Sequence, residues 1–377
     1  MLKYIHEHKG YPKFTWDLSI ILNLLTEVSA RQGRILGKMQ QFGFDIQQEA
    51  SLNALTEEIT KSSEIEGEIL NSEQVRSSLA KWLNINLENE NAPSHYIEGV
   101  VEAVMDAVRN YEKPLTEERL FGWHATLFPT GRSGIHKIKV AEFRDSDIKV
   151  VSNKRYNEIV HYEAPAPEKI HKQMSGFLNW LNICDNENPL LKAAIAHLWF
   201  VIIHPFDDGN GRLTRIITEM MLARAENTYL RFYSMSAQMQ KEKKEYYKIL
   251  EQTTTGNLDI TAWLIWFLKC LGRAIESSSE IIDKVLRKAA FWQKNSAEIS
   301  NKTQREIINR LFDGFTGNLT SGKIQKIFKI SQPTAIRMLN DLVEKGFLKI
   351  CGAGRSTHYV LAESSLTTES NLNGFAI

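Results

Sequence analysis

The chain has 377 residues, 43% apolar and 24% charged. At about 100–200 residues per domain this predicts two or three globular domains and excludes disorder over most of the length. Lys plus Arg number 46 against 45 Asp plus Glu, and a formal charge of +1 excludes a whole-chain basic field of the kind that gathers nucleic acid. Three widely spaced cysteines (Cys184, Cys270 and Cys351) with no C-x-x-C pair exclude a disulfide scaffold or a cysteine-rich zinc site and suit a reducing cytoplasm. The N-terminus lacks the apolar core of a signal peptide. The longest apolar stretch, 193–203, falls short of the ~20 residues that span a bilayer. The expectation is a soluble, cytoplasmic protein with no membrane partner.

In chain order, residues 1–100 read as a helical region. A long apolar-periodic stretch without proline runs from Leu18 to about Ile46. Next, Leu52, Leu55 and Ile59 step by three and four along one helix face. Continuing that rhythm places Ser62 and Glu66 where burial is expected, with Gly67 as a C-cap. Thr116-Glu117-Glu118 suits a helix start. Between Gly131 and Pro167 the texture changes, and the alternation in Ile148–Val151 and Glu158–Tyr162 predicts a small β-hairpin flap. Helical periodicity returns near Glu168 and persists to about Leu286. After a polar stretch around 295–302, residues 301–362 predict three helices (Gln304–Phe312, Thr320–Phe328, Gln332–Lys345) and two short strands about Gly352, the pattern of a winged helix. Residues 363–377 predict a loose tail.

The chemistry concentrates in residues 204–215, His-Pro-Phe-Asp-Asp-Gly-Asn-Gly-Arg-Leu-Thr-Arg. Pro205 ends the preceding helix at His204. Gly209 and Gly211 allow backbone amides to point inward at the start of the next helix, a natural anion site. Arg212 and Arg215 share a face there, and two cations in a first turn oppose the helix dipole unless an anion joins them. Asp208 beside this nest suits a Mg²⁺ ligand, because Mg²⁺ takes one or two carboxylates plus phosphate oxygens. His204 can be neutral near pH 7 and take a proton from an attacking hydroxyl. Phe206 is expected to anchor the loop. Each feature alone suits an ordinary turn or a solvated helix face, but their co-occurrence does not.

This stretch resembles the Fic-family signature H-P-F-x-D-G-N-G-R-x-x-R at every specified position. The resemblance implies a mainly α, Fic-type helical core over 101–286 that transfers AMP from ATP to a Ser, Thr or Tyr hydroxyl of a protein, its own included. It implies His204 as general base, Asp208 as magnesium ligand, and a nucleotide site running from Gly209, Asn210 and Gly211 through Arg212, Leu213 and Thr214 to Arg215. Gly211 argues against the phosphotransferase branch, which carries lysine there. Ile159 and Val160 fall in the expected flap, and Tyr246-Tyr247 resembles a tyrosine pair near the adenine. Thr254 stands where some relatives carry asparagine. Ser62–Gly67 is similar to the inhibitory motif [S/T]-x-x-x-E-[G/N], which implies that Glu66, on a helix over about 50–67, pairs with Arg215 and obstructs the γ-phosphate.

A Walker-like string, Gly317 to Lys323, is followed by Ile324 instead of Ser or Thr and is read as an inter-helix turn. The 301–362 module carries ten cations against four acids, a net +6, so DNA is a candidate partner through Gln332, Thr334, Arg337 and Arg355. Removal of AMP from a modified protein, with Glu66 orienting a water, and a DNA-binding regulator with a nucleotide-sensing core remain the alternatives. A homodimer is compatible with any of them.

Overall fold

The computed structural model describes residues 3–87, 91–154, 157–183, 187–312, 315 and 317–362. The expected tail, 363–377, and Cys184 lie outside the described residues. Two compact units divide the chain, residues 1–279 and 280–377.

In the first unit, α1 (Leu18–Gln40) starts on Asp17, whose carboxylate accepts from the Ser19 amide, and buries Ile21, Leu25, Val28, Ile35 and Met39 along one stripe. The expected continuous stretch to Ile46 breaks at Gln41–Gly43, because Gly43 takes an extended conformation and opens α2 (Phe44–Ile65). Leu52, Leu55 and Ile59 lie buried in α2 as the periodicity requires. Helix α3 (Ser72–Trp82) is capped by Asn71, α4 (His95–Arg109) by Ser94 and α5 (Glu117–Leu127) by Thr116, each through a side-chain oxygen on first-turn amides.

Two hairpins follow. The first, β1 (Arg132–Ser133) with β2 (His136–Lys137), is minimal. The second pairs β3 (Lys149–Lys154) with β4 (Asn157–Glu163), with Val150 opposite Tyr162 and a register shift between Val150 and Val151. Three helices then form the centre of the unit: α6 (Ile170–Asn182), α7 (Pro189–Ile203) and α8 (Asn210–Glu226). Nearly every α7 side chain is buried, so the helix is apolar all round. Helices α9 (Met235–Lys241), α10 (Lys243–Thr254) and α11 (Thr261–Asn295) complete the order, with α11 running into the second unit.

The second unit holds α12 (Lys302–Phe312), α13 (Ser321–Phe328), α14 (Gln332–Glu344) and the hairpin β5 (Leu348–Cys351) with β6 (His358–Leu361). Leu319 bridges Tyr359 as a third extended segment. Its core gathers Ile307, Ile308, Ile324, Leu339, Leu342 and Leu348. The Walker-like string covers the turn before α13 and the first three residues of that helix, where the Thr320 hydroxyl caps the Lys323 amide. No helix among the described residues is long and apolar enough to cross a membrane.

Candidate active site

Helix α7 stops at Ile203, and His204 takes left-handed angles (φ 50°, ψ 60°) at its C-cap. Such a conformation costs a non-glycine residue on the order of 1 kcal/mol and persists only where neighbours hold it. Arg144, 2% exposed, is the neighbour. It donates from Nε to the His204 carbonyl (2.8 Å), from Nη2 to the Pro165 carbonyl (2.6 Å), and from its own amide to the Pro205 carbonyl (3.0 Å). It thereby ties the base of the β3–β4 hairpin to the loop.

The His204 Nδ1 lies 3.3 Å from the Val201 carbonyl. A carbonyl only accepts, so Nδ1 carries the proton and Nε2 keeps its lone pair. Burial drives the His204 pKa down to about 4, against the pull of the Val201 carbonyl. The imidazole is therefore neutral at pH 7, the form a general base needs.

Phe206 is fully buried and stacks on His124 at 4.2 Å. The His124 ring accepts the Ala141 amide at Nδ1 and donates from Nε2 to the Asp208 carbonyl, each at 3.1 Å. Burial lowers its pKa to about 4, which keeps this tautomer uncharged. The Asp208 carboxylate accepts from the Gly209 amide (2.5 Å) and from the Ser133 hydroxyl. Gly209 has φ +84°, and a Cβ there would stand 2.7 Å from the Phe128 ring, so both torsion and space require glycine.

Three residues of the loop and helix turn their side chains inward. The Asn210 Oδ1 accepts from the Phe206 amide (3.0 Å) and its Nδ2 donates to the Phe206 carbonyl (2.8 Å), closing the turn. Leu213 is fully buried and its amide donates to the Gly209 carbonyl. Thr214 is fully buried and its hydroxyl donates to the Asn210 carbonyl. They face the core because α8 presents only its first-turn end and one stripe outward.

That stripe carries Arg212 (8% exposed) and Arg215 (2% exposed), too buried to be a solvated face. Arg215 donates from Nη2 to Glu66 Oε1 (2.7 Å) and to the Ser62 carbonyl (2.9 Å), and from Nε to the Ser62 hydroxyl (2.8 Å). Glu66 does not occupy the buried helical face that periodicity predicted. Helix α2 ends at Ile65, and Glu66 is its C-cap, before Gly67 at φ +87°. Its side chain keeps 35% exposure and reaches sideways over α8. Arg212 pairs with Glu68 (3.2 Å) and Tyr96 (2.6 Å) and packs over the Phe128 ring.

Tyr246 is buried, with its hydroxyl donating to His197 Nε2 (2.9 Å); the opposite ring nitrogen is committed to Thr218, whose hydroxyl is itself spent on Thr214. Tyr246 is thus a core residue and Tyr247, 41% exposed, is the open member of the pair. The charges of Arg215 and Glu66 reach both rings. Thr254 is buried and bonds back to the Glu251 carbonyl. Val160 and Ile159 lie on β4, opposite Val151 and Ser152; the side chain of Ile159 lies outside the described residues. Further along β4, Tyr162 is buried and donates to the Ile202 carbonyl (2.7 Å), which seats the flap beside the end of α7.

Arg144, His124, Ser133, Glu68 and Tyr96 were not singled out in the sequence. All act across long sequence separations, and no periodicity or spacing marks them.

Residues 114–222 match the model of the Fic/DOC family, and residues 4–85 match that of a domain of unknown function, DUF4172. Among curated relatives, the chain is 36% identical over 117 residues to "Protein adenylyltransferase Fic" of Nematostella vectensis, covering 30% of this chain and 25% of the relative. It is 26% identical over 178 residues to the protein of the same name from Aedes aegypti, covering 46% and 32%. The chain thus spans about a quarter to a third of the length of these relatives. A solved Fic family protein from Desulfovibrio desulfuricans shares the fold, with TM-score 0.55 at 21% identity over 93% of this chain and 98% of that one.

Proposed function

We propose, from the match of residues 114–222 to the Fic/DOC family model, that the chain is a protein adenylyltransferase restrained by Glu66. It moves AMP from ATP to a Ser, Thr or Tyr hydroxyl of a protein. The observation that carries this reading is a neutral His204 at the mouth of a loop whose two arginines are both held by carboxylates. The acceptor proton passes to Nε2 of His204 as the hydroxyl oxygen attacks the α-phosphorus. The bond to the β-phosphate breaks, and pyrophosphate leaves with the negative charge. The α8 N-terminus and Arg212 and Arg215 balance that charge.

Among the described residues no group of three or more His, Cys, Asp or Glu is gathered. A divalent cation would therefore draw on one or two carboxylates and the phosphates, which is the habit of Mg²⁺. Asp208 fits, since each of its oxygens accepts one hydrogen bond and retains lone pairs. When bound, Mg²⁺ would neutralise charge on the phosphates.

While Glu66 holds Arg215, the γ-phosphate lacks that partner and the α-phosphorus is not presented for attack. The reading includes a cytoplasmic location, supported by the free thiols Cys270 and Cys351. Incubation with Mg-ATP followed by intact-mass and peptide mass spectrometry tests it; no AMP adduct on the chain or on any added protein, from any variant, would contradict it.

A second reading is that the C-terminal unit, taken as a winged helix, binds duplex DNA. Exposed Gln332 and Arg337 stand on the first turns of α14, in a segment of net +6. Fluorescence anisotropy of the full chain with duplex DNA at low salt tests this, and no salt-sensitive binding would move the unit to a protein-interaction role.

A further inference from the structure

Arg212 Nη1, Tyr96 Oη and Glu68 Oε2 form a closed triangle. Arg212 donates to the phenol oxygen at 2.6 Å, the phenol donates to the carboxylate at 2.6 Å, and Arg212 also reaches that carboxylate at 3.2 Å. The three residues come from α8, α4 and the segment after α2. Their exposures differ in a telling way: the Arg212 side chain is 10% exposed, the Glu68 side chain 39%. A guanidinium so covered needs a counter-anion at all times, because an unpaired buried charge is costly. The carboxylate, being close to solvent, can leave cheaply.

We propose that Arg212 and Tyr96 form an anion cradle that Glu68 fills in the resting chain, and that the terminal phosphate of a bound nucleoside triphosphate displaces Glu68 from it. A phosphate oxygen is an anionic acceptor like the carboxylate oxygen. It takes one bond from Arg212 and one from the phenol, so Tyr96 becomes a nucleotide-binding residue as Glu68 swings out. The segment after α2 then supplies two competing carboxylates, Glu66 for Arg215 and Glu68 for Arg212. This inference rests on the nucleotide-binding reading above, which named only the Glu66 competitor.

Isothermal titration of the full chain with Mg-ATP and with AMP tests it, comparing wild type, Glu66→Gly, Glu68→Gln and Glu68→Gln/Tyr96→Phe, each checked for an unchanged melting profile. Removing the competing charge in Glu68→Gln should tighten ATP about tenfold, the scale of one charge-assisted contact, and leave AMP within about twofold. Adding Tyr96→Phe should give back several-fold of the ATP affinity. If Glu66→Gly binds ATP while Glu68→Gln leaves ATP affinity unchanged, or tightens AMP equally, the cradle is wrong and the nucleotide reading stands. If no variant binds ATP, both fall.

Discussion

A Cβ placed on Gly211 would stand 2.0 Å from Oε1 of Glu66, so the Glu66 carboxylate rests directly on the bare backbone of α8. The same oxygen lies 2.7 Å from Arg215 Nη2. Absence of a side chain at 211 is therefore what admits the ion pair.

Gly211→Ala should expel the Glu66 carboxylate without breaking α8, since position 211 lies inside the helix, where alanine is favoured. Hydrogen exchange should show the amides of Glu66, Gly67 and Glu68, now bonded to the Ser63 and Glu64 carbonyls, exchanging faster than in the wild type. Unchanged protection would mean that Glu66 does not need that contact.

Asp208→Ala should remove most of the magnesium dependence of ATP binding, because the neighbouring carboxylates are engaged elsewhere, Glu66 with Arg215 and Asp207 with the Lys139 amide. Isothermal titration with and without Mg²⁺ checks this, and an undiminished metal effect would displace the assignment.

How much of this was legible beforehand divides by range. The loop from His204 to Arg215 is contiguous, so its glycines, proline and charges declared a turn, a helix start and an anion site in one reading. The helix start at Thr116 was equally local. Glu66 was found as a residue and misplaced as a position: period 3.6 carried α2 one residue too far, and Gly67 turned the chain before the carboxylate could enter the core. The bonds from Asn210 to Phe206 that close the turn have no signature in the sequence, because a loop asparagine follows no period. Arg144, Tyr96 and Glu68 act through contacts more than 50 residues distant, which no local pattern encodes.

Stability should fall on acidification before the bulk carboxylates titrate. His124 and His197 are fully buried, and burial lowers their folded pKa values to about 4 and about 3. Unfolded, they titrate near the ordinary 6.5. Below that pH the unfolded chain binds more protons, so the stabilisation is complete above 6.5 and is lost as pH falls toward 4 and 3. Each contributes a slope of about 1.4 kcal/mol per pH unit, on the order of 4 kcal/mol together between pH 6.5 and 5. Urea titrations of wild type beside His197→Gln at pH 7.5 and pH 5 check it, because Glu219, its carboxyl raised to about 8 by burial, acts in the opposite sense over the same range; a wild-type advantage over the variant that does not shrink toward pH 5 would contradict the neutral assignment.

His204→Ala should lower AMP transfer by about 10²–10⁴-fold while ATP affinity stays within about twofold, since the imidazole handles the acceptor proton and the phosphates rest on other groups. Single-turnover rates and titration with Mg-ATP separate the two effects. A mutant that keeps most of its transfer rate would remove the general-base role.

The most direct test of the account is AMP incorporation by Glu66→Gly beside wild type, with labelled ATP and Mg²⁺, together with melting temperatures with and without nucleotide. Loss of Glu66 strands the buried Arg215 until a phosphate replaces the carboxylate. The account predicts incorporation at least tenfold above wild type, self-modification included, and a melting temperature lowered without nucleotide and recovered with Mg-ATP. A folded Glu66→Gly chain that incorporates no more AMP than wild type would contradict it.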